Sequence, residues 1–339
     1  MPVTLKDISH AAGVSIPTVS LILNGKGDQY NVNTRKRVLK TAKELGYRPN
    51  AGALAMRRGR FNTIAILQTA DYEKNQLPGP TLGGIRSTLE PKDMHVMLAA
   101  LPDEKLTSKA YVPKILREWM TDGLLINYTH GFPERMIELI DEFRIPSIWI
   151  NTKQKHDCAY PDDLAGGVMA TEYLLALGHR DIAYMDVSHA SDKLEEAHYS
   201  ARDRLAGYEQ AMKAAGAKPR VILGDAGGSS ANRLPMLTAL LGRGDRPRAI
   251  LAYGHSISIA YAAARCGVRI PEELSFVSFD AKQRSDLGLP ITTAEVPCME
   301  VGCAAAKMLL DKIDRVDRKL PAKVLGFRMA EGRTVAPAK

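Results

Sequence analysis

VTLKDISHAAGVSIPTVSLILNGKG, residues 3–27, divides itself into two short helices. Thr4 ahead of Asp7 pairs an N-cap hydroxyl with a carboxylate three residues on, and Leu5, Ile8, Ala11 and Ala12 follow at helical spacing. Gly13 suits the left-handed backbone that ends this first helix. Ser15 caps the second, where Val14, Val19, Ile22 and Leu23 give an inward-facing set. Asn31 can cap a third, with apolar positions at Val38, Thr41, Ala42 and Leu45, and Gly46 and Pro49 close it. Three short helices with a tight glycine turn between the first two predict a helix-turn-helix domain over residues 1–47.

On the second helix Ile16, Pro17, Ser20, Leu21 and Asn24 fall together, opposite the inward set. That face is open to a partner, yet it carries no Arg, Lys or Gln. The charge of the segment nevertheless names the partner's chemistry. Residues 1–60 hold 11 Lys and Arg against 3 Asp and Glu, whereas the chain's totals of 46 and 38 leave 35 of each sign elsewhere. The whole excess of +8 therefore sits in the first sixth of the chain, the pattern of a module that binds a phosphate backbone.

The rest of the chain reads differently. TIAIL (63–67), HVMLAA (95–100), GLLI (123–126), SIWI (147–150), IAYM (182–185), AILAY (249–253) and LSFVSFD (274–280) are short apolar runs expected to be buried strands. Helical patterns such as VPKILREWM, PERMIELIDEF, MATEYLLAL and LAGYEQAMKAA stand between them. Alternation over some 270 residues (about two domains' worth of chain) predicts two parallel α/β sheets, with a ligand cleft at the carboxyl ends of their strands.

Several chemistries are disfavoured. No apolar run reaches 18 residues and the N-terminus has neither a basic n-region nor an apolar h-region, so a cytoplasmic protein without membrane contact is expected. Cys158, Cys266, Cys298 and Cys303 have no disulfide or metal spacing and read as reduced thiols. Glu195 and His198 have Glu-x-x-His spacing, but no second such pair exists, and a structural surface role is expected. GDAGGSS (224–230) is only a weak phosphate signal. No Walker-A, G-x-S-x-G or G-x-G-x-x-G motif follows a strand, so neither an enzyme nor a cofactor or metal site is expected. A sugar-binding transport component would fit the body alone, but not the basic N-terminal module.

Residues 3–51 resemble the N-terminus of the LacI family of bacterial transcription regulators: TVS at 18–20, LN at 23–24, TR at 34–35 and LGYRPN at 45–50 stand where that family has them. One residue is inserted in the loop GKGDQY (25–30). The resemblance implies that Thr4, Ser15, Thr18, Asn24 and Thr34 mostly hold phosphates. Ser20 and Arg35 join that DNA-facing set, and Ile16, Pro17 and Leu21 occupy the positions that read base edges. Leu21 departs from the Arg common in the family; it can pack on a thymine methyl but cannot donate to guanine, so A·T-rich half-sites are expected.

RPNAGALAMRRGR (48–60) then corresponds to a hinge helix that orders on DNA, with Asn50 as its cap. Met56 takes the position of the side chain wedged into the minor groove, and Arg57, Arg58 and Arg60 would face phosphates. Gly52 and Met56 both depart from the residues usual there and imply a looser hinge. The resemblance runs on through DGLLI, IPSIWIN, LGHRDIAYM, SARDRLAGYEQAM and IPEELSFVSFD. It implies a periplasmic-binding-protein-like core at 61–339, with one subdomain at approximately 61–159 and 293–324 and the other at approximately 160–292 and 325–339. Arg204, Asp280 and Asn151 fall on its effector-binding positions. At Gly254-His255 the family commonly has Asn-Asp; His255 either contacts an atypical ligand or caps a helix. The loop DYEKNQLPGP (71–80) also departs from the usual stretch.

The reading is thus an all-α helix-turn-helix domain plus a two-subdomain α/β core. It implies a homodimeric repressor on pseudo-palindromic double-stranded DNA, controlled by a small effector, a sugar or sugar derivative.

Overall fold

The computed structural model describes residues 3–71, 77–102, 112–128, 133–224, 230–285 and 288–338, of which 51, 56–58, 230 and 231 are described by backbone alone. It divides into two compact units, Met1–Phe61 and Asn62–Lys339.

In the first unit, α1 (Leu5–Ala12) begins with a reciprocal capping box between Thr4 and Asp7 and ends at Gly13, φ 62°. A side chain there would be strained, and the sharp turn delivers the chain to α2 (Ile16–Leu23), capped by Ser15 through its bond from the Thr18 amide. α3 (Val32–Glu44) starts on Asn31. Ile8, Ala12, Val19, Ile22, Val38 and Ala42 form one small core, with Val14, Leu23 and Tyr47 packed on its edge. Leu45, expected to face inward, is instead 40% exposed, because α3 ends one residue earlier and Leu45 is its cap. α4 (Ala51–Arg58) follows, with Asn50 accepting from the Ala53 amide and Gly59 closing it at φ 69°.

The second unit holds two six-stranded sheets. Strands β1 (Thr63–Thr69), β2 (His95–Leu101), β3 (Gly123–Ile126), β4 (Ser147–Ile150), β5 (Cys158–Pro161) and β11 (Lys323–Leu325) make the first. Its order is β11-β5-β4-β3-β1-β2, all parallel. Strands β6 (Ile182–Ala190), β7 (Arg220–Gly224), β8 (Ala249–Ala252), β9 (Ser275–Asp280), β10 (Thr293–Glu295) and β12 (Arg328–Ala330) make the second. Its order is β12-β10-β9-β8-β6-β7, parallel except for β12. The first sheet is covered by α5 (Gly79–Leu89) and α12 (Cys298–Asp314) on one face and α6 (Lys114–Arg117) and α7 (Glu134–Glu142) on the other. The second is covered by α8 (Asp163–Ala176) and α9 (Tyr199–Ala214) on one side and α10 (Ser230–Leu241) and α11 (Ser256–Arg265) on the other.

The chain passes between the lobes three times: after β5, between β10 and α12, and between β11 and β12. This moves the expected boundary at 293, because Thr293–Glu295 pair with β9 and belong to the second lobe. Leu325, in turn, pairs with Pro161 and belongs to the first. VPKILREWM is helical only over Lys114–Arg117, the chain turning extended at Glu118. No described helix is long and apolar enough to cross a membrane.

One contact positions the site. A Cβ on Gly207 of α9 would lie 2.3 Å from the Leu164 carbonyl oxygen of α8, and one on Gly167 would lie 2.4 Å from the Arg204 carbonyl oxygen. The two helices therefore touch backbone to backbone, which brings Arg204 of α9 within bonding distance of Asp163 at the start of α8.

Candidate effector cleft and nucleic-acid interface

Between the lobes lies a cavity of about 870 Å³, within the size range of small-molecule sites. Its walls come from strand ends: Asn127 follows β3, Asn151 follows β4, Pro161 ends β5, Tyr253 follows β8 and Asp280 ends β9. The carboxyl ends of parallel strands thus converge on it from both sheets.

Arg204 is the deepest charged group. Its Nε donates to Asp163 Oδ1 at 2.7 Å, and the guanidinium carbon sits 4.6 Å from the Phe279 ring centre, 4.9 Å from Tyr253 and 5.5 Å from Phe327. Burial works against its charge, but the Asp163 carboxylate more than offsets it and holds the guanidinium cationic. Burial in turn lifts the Asp163 carboxyl above its ordinary range, with Arg204 opposing the shift. Among the described residues Arg204 makes only the Nε bond, so its terminal amino groups are available to an occupant. Asp280 contributes a carboxylate whose Oδ1 already accepts from the Ala281 amide at 2.8 Å. Cys298, its thiol pushed up to about 11 by burial, is a neutral part of the wall.

The lobes also touch beside the cavity. Asn151, in left-handed backbone at φ 54°, presents its carbonyl to His198 Nε2 at 2.8 Å and its side-chain oxygen to Tyr199 OH at 3.3 Å. A carbonyl only accepts, so His198 carries its proton on Nε2, and Nδ1 lies 2.8 Å from Ser200 Oγ. Lys153 Nζ pairs with Asp203 and lies 4.9 Å from the Tyr199 ring centre.

Of the residues expected to bind an effector, Asn151, Arg204 and Asp280 line the cavity. His255 is not among its lining residues. It sits in left-handed backbone at φ 61°, makes no side-chain cap bond to α11, and places Nε2 2.6 Å from Ser188 Oγ. Ser188 itself lines the cavity, so His255 stands behind the wall. Burial, then the Arg233 cation, holds its pKa down. His198, expected to be a surface residue, lines the cavity with His189, Ser200 and Tyr253. Its spacing from Glu195 hid its use, because its partners are Asn151 and Ser200. Residues 72–76 and 225–229, the departing loop and the glycine-rich turn, lie outside the described residues.

On the helix-turn-helix unit, Ile16 is 43% exposed, Pro17 and Asn24 are exposed and Ser20 and Leu21 half-buried, an apolar strip on α2. Thr4, Ser15 and Asn24 are partly engaged by local caps: Thr4 with Asp7, Ser15 with Thr18, and Asn24 Nδ2 with the Ser20 carbonyl at 2.6 Å. Thr34 is half-buried, and Arg35 pairs with Asp28 of the inserted loop at 2.8 Å. The side chains of Met56, Arg57 and Arg58 lie outside the description.

Comparison with known proteins agrees with this architecture. Residues 4–50 match the family model described as bacterial regulatory proteins, lacI family, and residues 171–335 match the periplasmic binding protein-like domain. The chain is 29% identical to the HTH-type transcriptional regulator RegA of Clostridium saccharobutylicum, covering 98% of each chain. It is 28% identical to the HTH-type transcriptional repressor PurR of Proteus mirabilis, covering 98% of this chain and 97% of that one. Its fold superposes on a lac repressor dimer solved with operator and the anti-inducer ONPF, with a TM-score of 0.78 at 21% identity, covering 99% of this chain and 100% of the other. For a transcriptional regulator CelR–cellobiose complex the TM-score is 0.65 at 24% identity, covering 98% and 99%. These relatives regulate transcription, in accord with a chain whose motifs assemble no nucleophile and base. Its first unit thus carries the lacI-family helix-turn-helix domain and its second the periplasmic binding protein-like domain, and over 98% of its length the chain is similar to an HTH-type transcriptional regulator.

Proposed function

We propose that this regulator is a cytoplasmic, homodimeric repressor whose affinity for a pseudo-palindromic operator is set by a small molecule in the interlobe cavity, a sugar or sugar derivative. One observation carries the effector reading: Arg204 offers the cavity amino groups that have no partner among the described residues, while Asp163 and three aromatic rings fix its orientation. With Asp280 as acceptor and Asn127 and Asn151 beside it, the cavity offers donors and acceptors suited to several hydroxyl groups. The occurrence of cellobiose in a structural relative supports the same chemistry.

Coupling follows from contacts that differ between lobe arrangements. An occupant reaching Asn151 and Arg204 touches both lobes and competes with or reinforces the His198–Asn151 and Lys153–Asp203 contacts, shifting the lobe angle. If that angle governs DNA affinity, DNA changes effector affinity by the same factor.

At the DNA, Thr4, Ser15, Thr18, Ser20, Asn24, Thr34, Arg35, Asn50 and Arg57 would make the backbone contacts. Ile16, Pro17 and Leu21 would read base edges, and Met56 would enter the minor groove. Binding-site selection from random duplexes with the full-length protein tests this, followed by titration of the selected duplex in the presence of sugars and sugar acids. An A·T-rich palindrome whose affinity changes with one sugar is expected. A G·C-rich half-site sinks the base-reading assignment, and a duplex affinity untouched by every sugar sinks the effector assignment.

A further inference from the structure

A second cavity, of about 400 Å³, lies in the first lobe at the opposite end of the sheet from the interlobe cleft. Asn151 and Pro161, at the carboxyl ends of β4 and β5, line the cleft. Ser147, which opens β4, and Asp157, just before β5, line this one. Its base is apolar: Trp149 of β4, Ile126 of β3 and Ile140 of α7.

The rim is built rather than incidental. Asp157 accepts from Lys312 Nζ at 2.8 Å and from the Leu320 amide at 2.9 Å, and His156 Nδ1 lies 2.9 Å from it. This satisfied network fixes one wall. Two non-glycine residues at the rim, Arg144 at φ 49° and Asp157 at φ 56°, hold left-handed backbone, a cost that proteins concentrate at ligand sites. Asp157 and Asp317 are already taken by Lys312 and Arg144; of the other charges on the lining, Lys155 and Lys319 have no carboxylate partner and Asp141 no cationic one among the described residues, which leaves the rim one positive charge in excess. An apolar floor holding an indole, with two unpaired ammonium groups at its edge, favours a flat apolar body that carries a negative charge.

The geometry points to a second small-molecule site here, selective for aromatic monocarboxylates and separate from the interlobe cleft. The site reports on itself, because Trp149 lines it and the chain's other tryptophan, Trp119, is 60% exposed and can be replaced.

The test uses the full-length Trp119→Phe protein, so that Trp149 alone fluoresces. Titration with benzoate should give a saturable change in Trp149 emission with a Kd tighter than about 1 mM, and the uncharged benzamide should bind about tenfold more weakly. Exchanging both exposed lysines, Lys155→Glu with Lys319→Glu, should weaken benzoate about tenfold or more. An absence of saturable change overturns the proposal, as does equal binding of benzamide. Benzoate binding that survives the lysine exchange also overturns it, since that places the ligand elsewhere, the interlobe cleft included.

Discussion

Replacing Arg204 by Met removes a guanidinium from a residue that is only 8% exposed and leaves Asp163, 1% exposed, without its cation. The other oxygen of Asp163, Oδ2, already lacks a hydrogen-bond partner among the described residues, so the lone carboxyl cannot remain ionised at that depth. It must take up a proton on folding. For a group with an ordinary value of 3.8, holding that proton at pH 7 costs about 4 kcal/mol, and at pH 5 about 1.6 kcal/mol, at roughly 1.4 kcal/mol per pH unit. The folded-state pKa is raised above the unfolded one, so the neutral form's stability is complete below the unfolded value and declines as pH rises toward the folded one. Arg204→Met should therefore gain stability as pH falls from 7 to 5. Asp163→Ala strands a guanidinium that cannot give up its proton, at a loss of about 3–5 kcal/mol and without that slope. The rings of Tyr253, Phe279 and Phe327 offset part of this, so the lower end of the range is expected. Urea unfolding of the full-length variants at pH 5, 6, 7 and 8, followed by circular dichroism, measures both. A flat pH profile for Arg204→Met, with a loss below about 1 kcal/mol, would refute the reasoning that the pair is desolvated and mutually dependent.

Other changes follow from the same contacts. Gly207→Ala sets a methyl 2.3 Å from the Leu164 carbonyl and should cost about 1–3 kcal/mol by prising α9 from α8; an unchanged melting temperature counts against the backbone contact. Leu21→Arg should move the selected half-site toward G·C at one position, by about 1–3 kcal/mol in a competition assay with paired duplexes, and no change in preference removes Leu21 from base reading. Burial first, then the Arg233 cation, lowers the pKa of His255 in the folded state below the 6.5 of the unfolded chain. That contribution to stability is complete above pH 6.5 and is lost as pH falls below it. His255→Gln should therefore flatten the unfolding profile between pH 7 and 5.5, and an identical profile in both proteins would rule His255 out.

Features encoded by near neighbours were legible in the sequence. The Thr4–Asp7 box, the Gly13 turn and the Ser15, Asn31 and Asn50 caps are each complete within a few residues, so the pattern and the structure coincide there. Six of the seven expected strands are buried and were visible because strands covered on both faces must be apolar throughout; β2, also expected to be buried, is instead an edge strand with Leu98 55% exposed. Strands β5, β7, β10, β11 and β12 were not: four of them have only three or four residues, β7 is an edge strand paired with β6 alone, and each takes its place from the neighbour it pairs with. The site is harder still. Arg204 and Asp163 are forty-one positions apart, and they meet only because Gly167 and Gly207 let two helices touch. Residue type and spacing alone placed His198 on the surface and left His255 either in the cleft or at a helix cap, and the backbone decided both: His198 lines the cavity, and His255 is the N-cap of α11 without a side-chain cap bond. His198 opens α9 facing the Asn151 carbonyl, whereas the left-handed turn at His255 directs its ring to Ser188. A cavity assembled from the ends of strands in two sheets has no local signature, because its residues are related by topology and not by sequence distance. What local chemistry did reveal is where charge must be compensated, and the buried arginine at the cavity wall is the residue on which that compensation can be measured.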